Sequence, residues 1–257
     1  PEPTISPNAL TQADDYFGIT TWSGDNADTR NITDYGFQPD WAWIKNRGAS
    51  ISHVVFDSSR GVSSSINTAL STNVSDSEGL GDNITTSAQL GGISAFLSNG
   101  FTLKEGNTDD ARYTNKSSNT YVGFAWKANG GTTVSVSESG NNPANVRQTN
   151  VTAGFSIITY TGTGAAGTIA HGLGVAPKAI ITKKRNASGN WASYFGTADV
   201  TDPQTDALYL DLTDTRTDSA DFWNDTAPTS SVYSVQDAGD TNTNDHTYVA
   251  YVFAEVE

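Results

Sequence analysis

Phe17-Gly18-Ile19-Thr20-Thr21-Trp22-Ser23-Gly24, near the start of the chain, is answered 138 positions later (155 minus 17) by Phe155-Ser156-Ile157-Ile158-Thr159-Tyr160-Thr161-Gly162. The register runs without a gap from residues 17–47 to residues 155–185, so that Gly36 falls on Gly174, Pro39 on Pro177, Lys45 on Lys183 and Arg47 on Arg185. Both stretches mix apolar with small polar residues in partial alternation, the pattern of a half-buried strand, and both run into a glycine-containing turn. The ends match as well: Tyr121-Val122-Gly123-Phe124-Ala125-Trp126 is echoed by Tyr248-Val249-Ala250-Tyr251-Val252-Phe253. There the spacing is 127 (248 minus 121), so the middles of the two copies differ by insertions or deletions, as loops do on a retained scaffold. Each copy spans on the order of 100 residues, the size of a domain and longer than a solenoid repeat.

Within the matched region, Gly36 and Gly174 permit a positive φ at a turn, and Pro39 and Pro177 fix φ three residues later and disfavour helix just before them. Strands are then expected over residues 40–45 and 179–183. Further strand-like runs are Ser52 to Phe56, Ile93 to Leu97, Gly100 to Leu103 and Tyr121 to Trp126 in the first copy. The second copy offers Trp191 to Phe195, Leu208 to Leu212, Val232 to Val235 and Tyr248 to Ala254.

Composition agrees. Aromatic residues make up 10% of the 257 and charged residues only 16%, the remainder being rich in Gly, Ser, Thr, Asn and Asp, which suits an all-β chain with many polar turns. The best helical candidate, Ser63 to Leu70, is short. The expected fold is therefore two tandem β-sandwich domains, jelly-roll or concanavalin A-like, related by internal duplication. Residues 1–14 read as an arm or linker, 15–128 as the first sandwich, 129–150 as a linker with an added strand around Thr133 to Ser137, and 151–257 as the second sandwich.

A net charge of −14 and a pI near 4.4, with few and scattered basic residues, argue against a nucleic-acid partner, because a phosphate footprint needs a clustered Lys/Arg surface. No run approaches the roughly 20 apolar residues of a membrane span, and no charged-then-apolar leader precedes the first copy, so membrane insertion is not expected. Cysteine is absent, which removes disulfides, thiolate metal sites and a cysteine nucleophile.

The chemistry-bearing groups are sparse. His171, in the turn His171-Gly172-Leu173-Gly174, has Thr33 as its counterpart and reads as a turn-stabilising hydrogen-bonding group. Asp211, Asp214, Asp218 and Asp221 leave a calcium ion as the one cofactor open to consideration, but their spacing lacks the glycine and terminal glutamate of an EF-hand loop, and a solvated loop is the expectation. A glycan-degrading enzyme would need two facing carboxylates, and no glutamate sits on a strand among aromatics in that manner. No Gly-x-Ser-x-Gly elbow is present, so the chain reads as non-catalytic. Among the tryptophans, Trp43 and Trp126 stand where the second copy has Ile181 and Phe253, and Trp41 shares a face with Trp43, which marks all three as buried. Trp223 and Tyr209, with Asp211 and Asp214 nearby in sequence, are left as the candidate binding residues on the surface.

Taken together, Phe155 to Gly164, His171-Gly172-Leu173-Gly174-Val175-Ala176-Pro177-Lys178 and Tyr248 to Glu257 resemble a repeat module of tail-fibre and other virion proteins of marine bacteriophages and cyanophages. The first copy resembles it through Gly36-Phe37-Gln38-Pro39-Asp40, Ile44-Lys45-Asn46-Arg47 and Phe56-Asp57-Ser58-Ser59-Arg60-Gly61. The resemblance covers most of residues 16–257. It implies a concanavalin-like sandwich on the outside of a virion, attaching to a host-surface glycan or protein, or else decorating a capsid or fibre. Implied partners are other virion proteins and further copies of the chain, a trimer being one arrangement. It hands over no catalytic or ligand residues, and function is expected in what the copies do not share, chiefly residues 57–92 and 196–230.

Overall fold

Alternation along the first matched stretch buries one side of a strand and leaves the other to a second layer, and the backbone follows. In the computed structural model, which describes residues 13–62, 68–79, 91–105, 111–196 and 201–255, the first half holds β1 (Phe17–Ser23), β2 (Thr29–Ile32), β3 (Trp41–Asn46), β4 (Val54–Asp57), β5 (Leu70–Ser71), β6 (Gly92–Leu97), β7 (Gly100–Lys104) and β8 (Thr120–Trp126). The rest of the chain adds β9 (Val134–Val136), β10 (Asn145–Asn150), β11 (Phe155–Thr161), β12 (Gly167–Ala170), β13 (Pro177–Lys184), β14 (Trp191–Phe195), β15 (Asp206–Tyr209), β16 (Thr217–Asp218), the short helix α1 (Ala220–Trp223), β17 (Val232–Val235) and β18 (Thr247–Ala254).

The strands form four layers. A three-stranded sheet β2-β7-β6 covers one face of a five-stranded sheet β1-β8-β3-β4-β5. Their shared core is made by Trp22, Tyr35, Phe37, Ala42, Ile44, Val54, Phe56, Phe101, Leu103 and Tyr121. In the second half the eight-stranded sheet β16-β15-β14-β13-β18-β11-β10-β9 carries the pair β12-β17 and α1 on one face, around Ile158, Tyr160, Ile180, Tyr194, Trp223, Tyr233, Tyr248 and Val252. All sheet pairings are antiparallel. The two large sheets meet through their remaining faces, where Trp41, Val55 and Leu70 pack on Phe155, Ile157, Ile181, Trp191, Val249 and Tyr251. Strand β4 is buried along its whole length because neighbours lie on both sides. Alternation accordingly sends Val54 and Phe56 to the first core and Val55 to the interface.

The central strand order of the two halves is the same: β1-β8-β3-β4-β5 corresponds position by position to β11-β18-β13-β14-β15. Gly36 and Gly174 have φ of 74° and 78°, with open space where a Cβ would be, so the left-handed conformation alone selects glycine. Gly24 and Gly162 are needed for a different reason. A Cβ there would stand 2.0 Å from the carbonyl oxygen of Lys116 and 2.3 Å from that of Thr243.

Several segments differ from the sequence expectation. Residues 145–150, read as linker, form β10 and pair with β11 from Asn145↔Tyr160 to Asn150↔Phe155, while β9 takes the place of the added strand on its far side. Of the helical candidate Ser63 to Leu70, residues 63–67 lie outside the described residues and Leu70 is in β5. The arm read over residues 1–14 is described only from Ala13, where Ala13–Asp15 form a 3-10 turn. Helix α1 fell in a stretch read as loop. Among the described residues no helix is long and apolar enough to cross a membrane.

Candidate functional site

Charge in the interior is the first place to look for chemistry, because each buried ion must be satisfied by something. Most of it lies along the seam between the two halves. Asp57 at the end of β4 receives the Arg60 Nε–H at 2.5 Å and the Tyr251 hydroxyl at 2.7 Å. Arg60 reaches Glu78 at 2.7 Å with Nη1, and Arg185 of the second half binds the other oxygen of Glu78 at 2.8 Å. Burial works against the Arg60 charge, yet Asp57, Tyr251 and Glu78 more than offset it and hold the guanidinium above its ordinary pKa. Burial, with Asp57 beside it, pushes the Tyr251 phenol well above its usual value, so the hydroxyl remains a donor.

Asp40 is saturated in the same way. It accepts backbone N–H groups from Ala128 at 2.7 Å and from Gly130 and Gly131 at 2.9 Å, and the Ser58 hydroxyl at 2.7 Å. Gln148 of β10 then donates to the hydroxyls of Ser58 and Ser59 at 2.7 Å, tying the halves a second time. Glu78, Asp57 and Asp40 are thus held by N–H, O–H and cationic partners of this chain and serve as fasteners.

Two matched lysines have one role. Lys45 Nζ donates to the Ile51 carbonyl at 2.6 Å, and Lys183 Nζ donates to the carbonyl of Gly189, the position corresponding to Ile51, and to that of Ser75 at 3.0 Å. Each closes the hairpin that follows its own strand. Burial pushes Lys183 down to about 8, with Asp211, Asp240 and Asp76 opposing the shift.

His171 is a turn group. The Leu173 amide donates to its Nδ1 at 3.2 Å, which leaves Nε2–H to donate to the Thr229 carbonyl at 3.1 Å. A matched pair of polar residues was missed in the sequence. Asn115 Nδ2 donates to Asp25 Oδ1 at 2.8 Å and to the Ala27 carbonyl, and Asn242 Nδ2 donates to the equivalent Ala165 carbonyl at 2.8 Å. Just before them, the Thr114 carbonyl accepts from Trp22 Nε1 and the Thr241 carbonyl from the Tyr160 hydroxyl. The shared string Ala-x-x-Thr-Asn at 111–115 and 238–242 was the available signal. The two halves therefore match at polar positions as well as apolar ones, and those matched residues are structural.

The candidate binding residues separate. Trp223 is 2% exposed, its indole N–H given to the Asp206 carbonyl at 3.1 Å and its ring packed edge-on to Tyr194 and Tyr233. It is a core residue, because α1 lays its apolar side on the eight-stranded sheet. Tyr209 is half-buried at the end of β15, edge-on to Phe222, and burial followed by the fields of Asp240, Asp214 and Asp211 raises its pKa. Asp211 accepts the Trp191 amide at 2.9 Å, and Asp214 is exposed. The loop after β15 also turns Leu210 (36% exposed) and Leu212 (40%) to solvent. Tyr209, Leu210, Asp211, Leu212 and Asp214 thus form one surface strip that offers an aromatic edge, aliphatic carbons and carboxylate acceptors.

The aspartates weighed for calcium do not converge. Asp211 caps β14, Asp218 pairs with Asp206 in the strand ladder and Asp221 lies in α1. Among the described residues no three His, Cys, Asp or Glu side chains gather as metal ligands.

A family model described as a domain of unknown function, DUF7483, matches residues 12–257. No curated protein and no solved structure matches the chain.

Proposed function

Since the chain belongs to the DUF7483 family, and since its repeat resembles modules of phage virions, we propose that it is a non-catalytic virion surface protein of the tail-fibre, receptor-binding type that attaches to a host-surface glycan or protein. The observation that carries this reading is the strip Tyr209 to Asp214, in which Leu210, Leu212 and Asp214 are exposed beside the half-buried Tyr209 and Asp211. Aromatic edges and aliphatic side chains suit the C–H faces of sugars or the apolar side chains of a protein, and carboxylates accept hydrogen bonds from hydroxyls. Strand β15 of the largest sheet anchors the strip at Tyr209, and the Asp211 carboxylate on the Trp191 amide ties the following loop to β14. The test is binding of the chain to a glycan array and to host cells. Tyr209→Ala and Asp214→Ala should each weaken capture about tenfold, a loss of ~1.4 kcal/mol. Absence of capture at high micromolar concentration overturns the reading.

A structural role in decorating a capsid or fibre is favoured by a second patch. Val151 (58% exposed) and Val175 (46%) flank an open groove of about 770 Å³ lined also by Leu173, Lys178 and Glu255. Particles lacking the protein separate the two: lost adsorption supports attachment, whereas lost particle stability with normal adsorption supports decoration.

A further inference from the structure

The large sheet of the second half is wider than the surface the first half covers. Val249 packs in the interface, and the register carries its row outward along the same face: Val249 stands opposite Thr159, Thr159 opposite Val146 and Val146 opposite Ser135. Alternation puts Thr161 on this face too, two residues along β11, with Thr247 opposite it. The Arg185 amide donates to the Thr247 carbonyl at 2.7 Å, which brings Arg185 into the second row. Val249 is fully buried, Thr159, Val146, Thr247 and Arg185 are half-buried, and Ser135 and Thr161 are exposed. Beyond Val249 the two rows border an open groove of about 340 Å³ at the margin of the seam. Every residue lining it belongs to the described stretches 111–196 and 201–255.

The groove is built of hydroxyls over a little hydrocarbon. Those of Ser135, Thr161 and Thr247 have no hydrogen-bond partner among the described residues, and that of Thr159 has only the Val146 carbonyl at 3.4 Å. A hydroxyl both donates and accepts, so the set matches ligand groups that do the same. Arg185 stands beside them with Nε and Nη2 held by Glu78 at 2.9 and 2.8 Å, while its Nη1 has no acceptor among the described residues. Glu78 also binds Arg60, and Arg60 binds Asp57, so two cations and two carboxylates cancel. In a chain of net charge −14 this leaves nothing to draw an anion, and Glu78 has no charge to spare for a cation. Val146 and the threonine methyls supply the apolar carbon, too little for the large buried anchor of a protein partner. The volume lies at the small end of small-molecule sites, roughly 300–1,000 Å³.

We propose that this groove binds one residue of a neutral sugar, a pyranose whose hydroxyls exchange hydrogen bonds with Ser135, Thr159, Thr161 and Thr247 and whose C–H groups lie on Val146. Arg185 Nη1 is a further donor to the same ring. The inference rests on the reading of the chain as a glycan-attaching protein, and it adds a contact made by residues other than the strip Tyr209 to Asp214. The ladders of β18, β11, β10 and β9 hold the two rows in place, so the hydroxyls are positioned before a ligand arrives. Each of them exchanges water for sugar, which sets the affinity for a single residue on the order of millimolar.

The test is a titration of the chain, followed by amide NMR shifts, with the methyl pyranosides of glucose, galactose and mannose, each to ~100 mM, and with glucuronate as a charged probe. At least one neutral glycoside should give saturable shifts at Thr159, Thr161, Thr247 and Arg185. Thr161→Val and Thr247→Val keep the side-chain shape and suit a strand, so each should weaken that binding about tenfold while the rest of the spectrum stays in place. No saturable shift with any of the three, or shifts only elsewhere on the chain, overturns the proposal. So does binding that both substitutions leave unchanged, or that is tighter for glucuronate. The attachment reading is decided separately, by glycan-array and host-cell capture and its loss in Tyr209→Ala. Capture by a chain whose groove stays silent removes the groove and keeps attachment. A groove that fills, in a chain that captures neither glycans nor cells, keeps the site and removes attachment.

Discussion

At the scale of single residues, His171 shows how a side chain that attracts a catalytic reading is used up by its turn. It is fully buried, accepts the Leu173 amide at Nδ1 and donates from Nε2 to Thr229, a pattern only the neutral ring can satisfy. Burial lowers its pKa from 6.5, the bond to Thr229 works the other way, and Arg147 lowers it further. A histidine depressed in the folded state binds fewer protons there than in the unfolded chain. Its contribution is therefore complete above the unfolded value and drains away as the pH falls through the folded one. The thermal midpoint should drop on acidification from pH 7.5 to pH 5, and His171→Gln, which keeps an acceptor and a donor without titrating, should drop by less. The difference is expected to be a few degrees, at ~2–4 °C per kcal/mol for a chain of this size. Equal slopes would remove His171 from the account. The turn role of His171 was legible in its Gly-x-Gly neighbourhood, whereas Trp223 was not legible as core. Its flanking Asp and Asn residues signal a loop, and the four-residue helix that turns its ring inward is too short to leave a period.

At the scale of elements, two kinds of glycine at matched positions of the halves separate two physical causes. Gly174→Ala meets open space and carries only the cost of a left-handed φ, about 1–2 kcal/mol. Gly162→Ala drives a methyl against the Thr243 carbonyl, which is backbone and cannot swing aside, so a loss of ~3 kcal/mol or more is expected. Urea unfolding of both variants should rank them in that order, and the reverse ranking would show that the loop after β11 yields. The same loop is clipped by Asn242, whose Oδ1 accepts the Thr163 amide at 2.9 Å. Asn242→Ala leaves that amide and the Ala165 carbonyl unpaired and should cost about 1–3 kcal/mol. Most strands were legible because their alternation and their launching Gly and Pro residues are local features. Strand β10 was not: Asn-Val-Arg-Gln-Thr-Asn has no apolar rhythm, and it is a strand because β11 offers it a ladder.

At the scale of the whole molecule, the sequence reading of two domains in a row needs the interface added to it. Trp41 is 3% exposed and lies over Tyr251 at a ring separation of 4.6 Å, with Phe155 at 5.9 Å and Trp126 of its own half at 4.5 Å, so a residue of the first half is buried by rings of both. Around this aromatic patch stand the fasteners Asp57–Arg60–Glu78–Arg185, Gln148 on Ser58 and Ser59, and Trp191 Nε1 on the Ser71 carbonyl at 2.7 Å. The aromatic side of the interface was foreshadowed by parity at Trp41 and Trp43, but its polar half joins residues far apart in sequence and left no periodic mark. Halves coupled this closely should unfold together, giving one transition by near-ultraviolet circular dichroism and by amide exchange. Trp41→Ala should cost ~3–5 kcal/mol through lost burial and the cavity left behind. Arg60→Met should cost a comparable amount by leaving Asp57 and Glu78 without their shared cation. The decisive readout is where the damage is felt. If the seam couples the halves, Arg60→Met speeds exchange at β18 and β13 of the second half as well as at β4. Faster exchange confined to the first half, or two separated transitions in the unmodified chain, would show that each half stands alone and that the buried pairs between them add geometry without cooperativity.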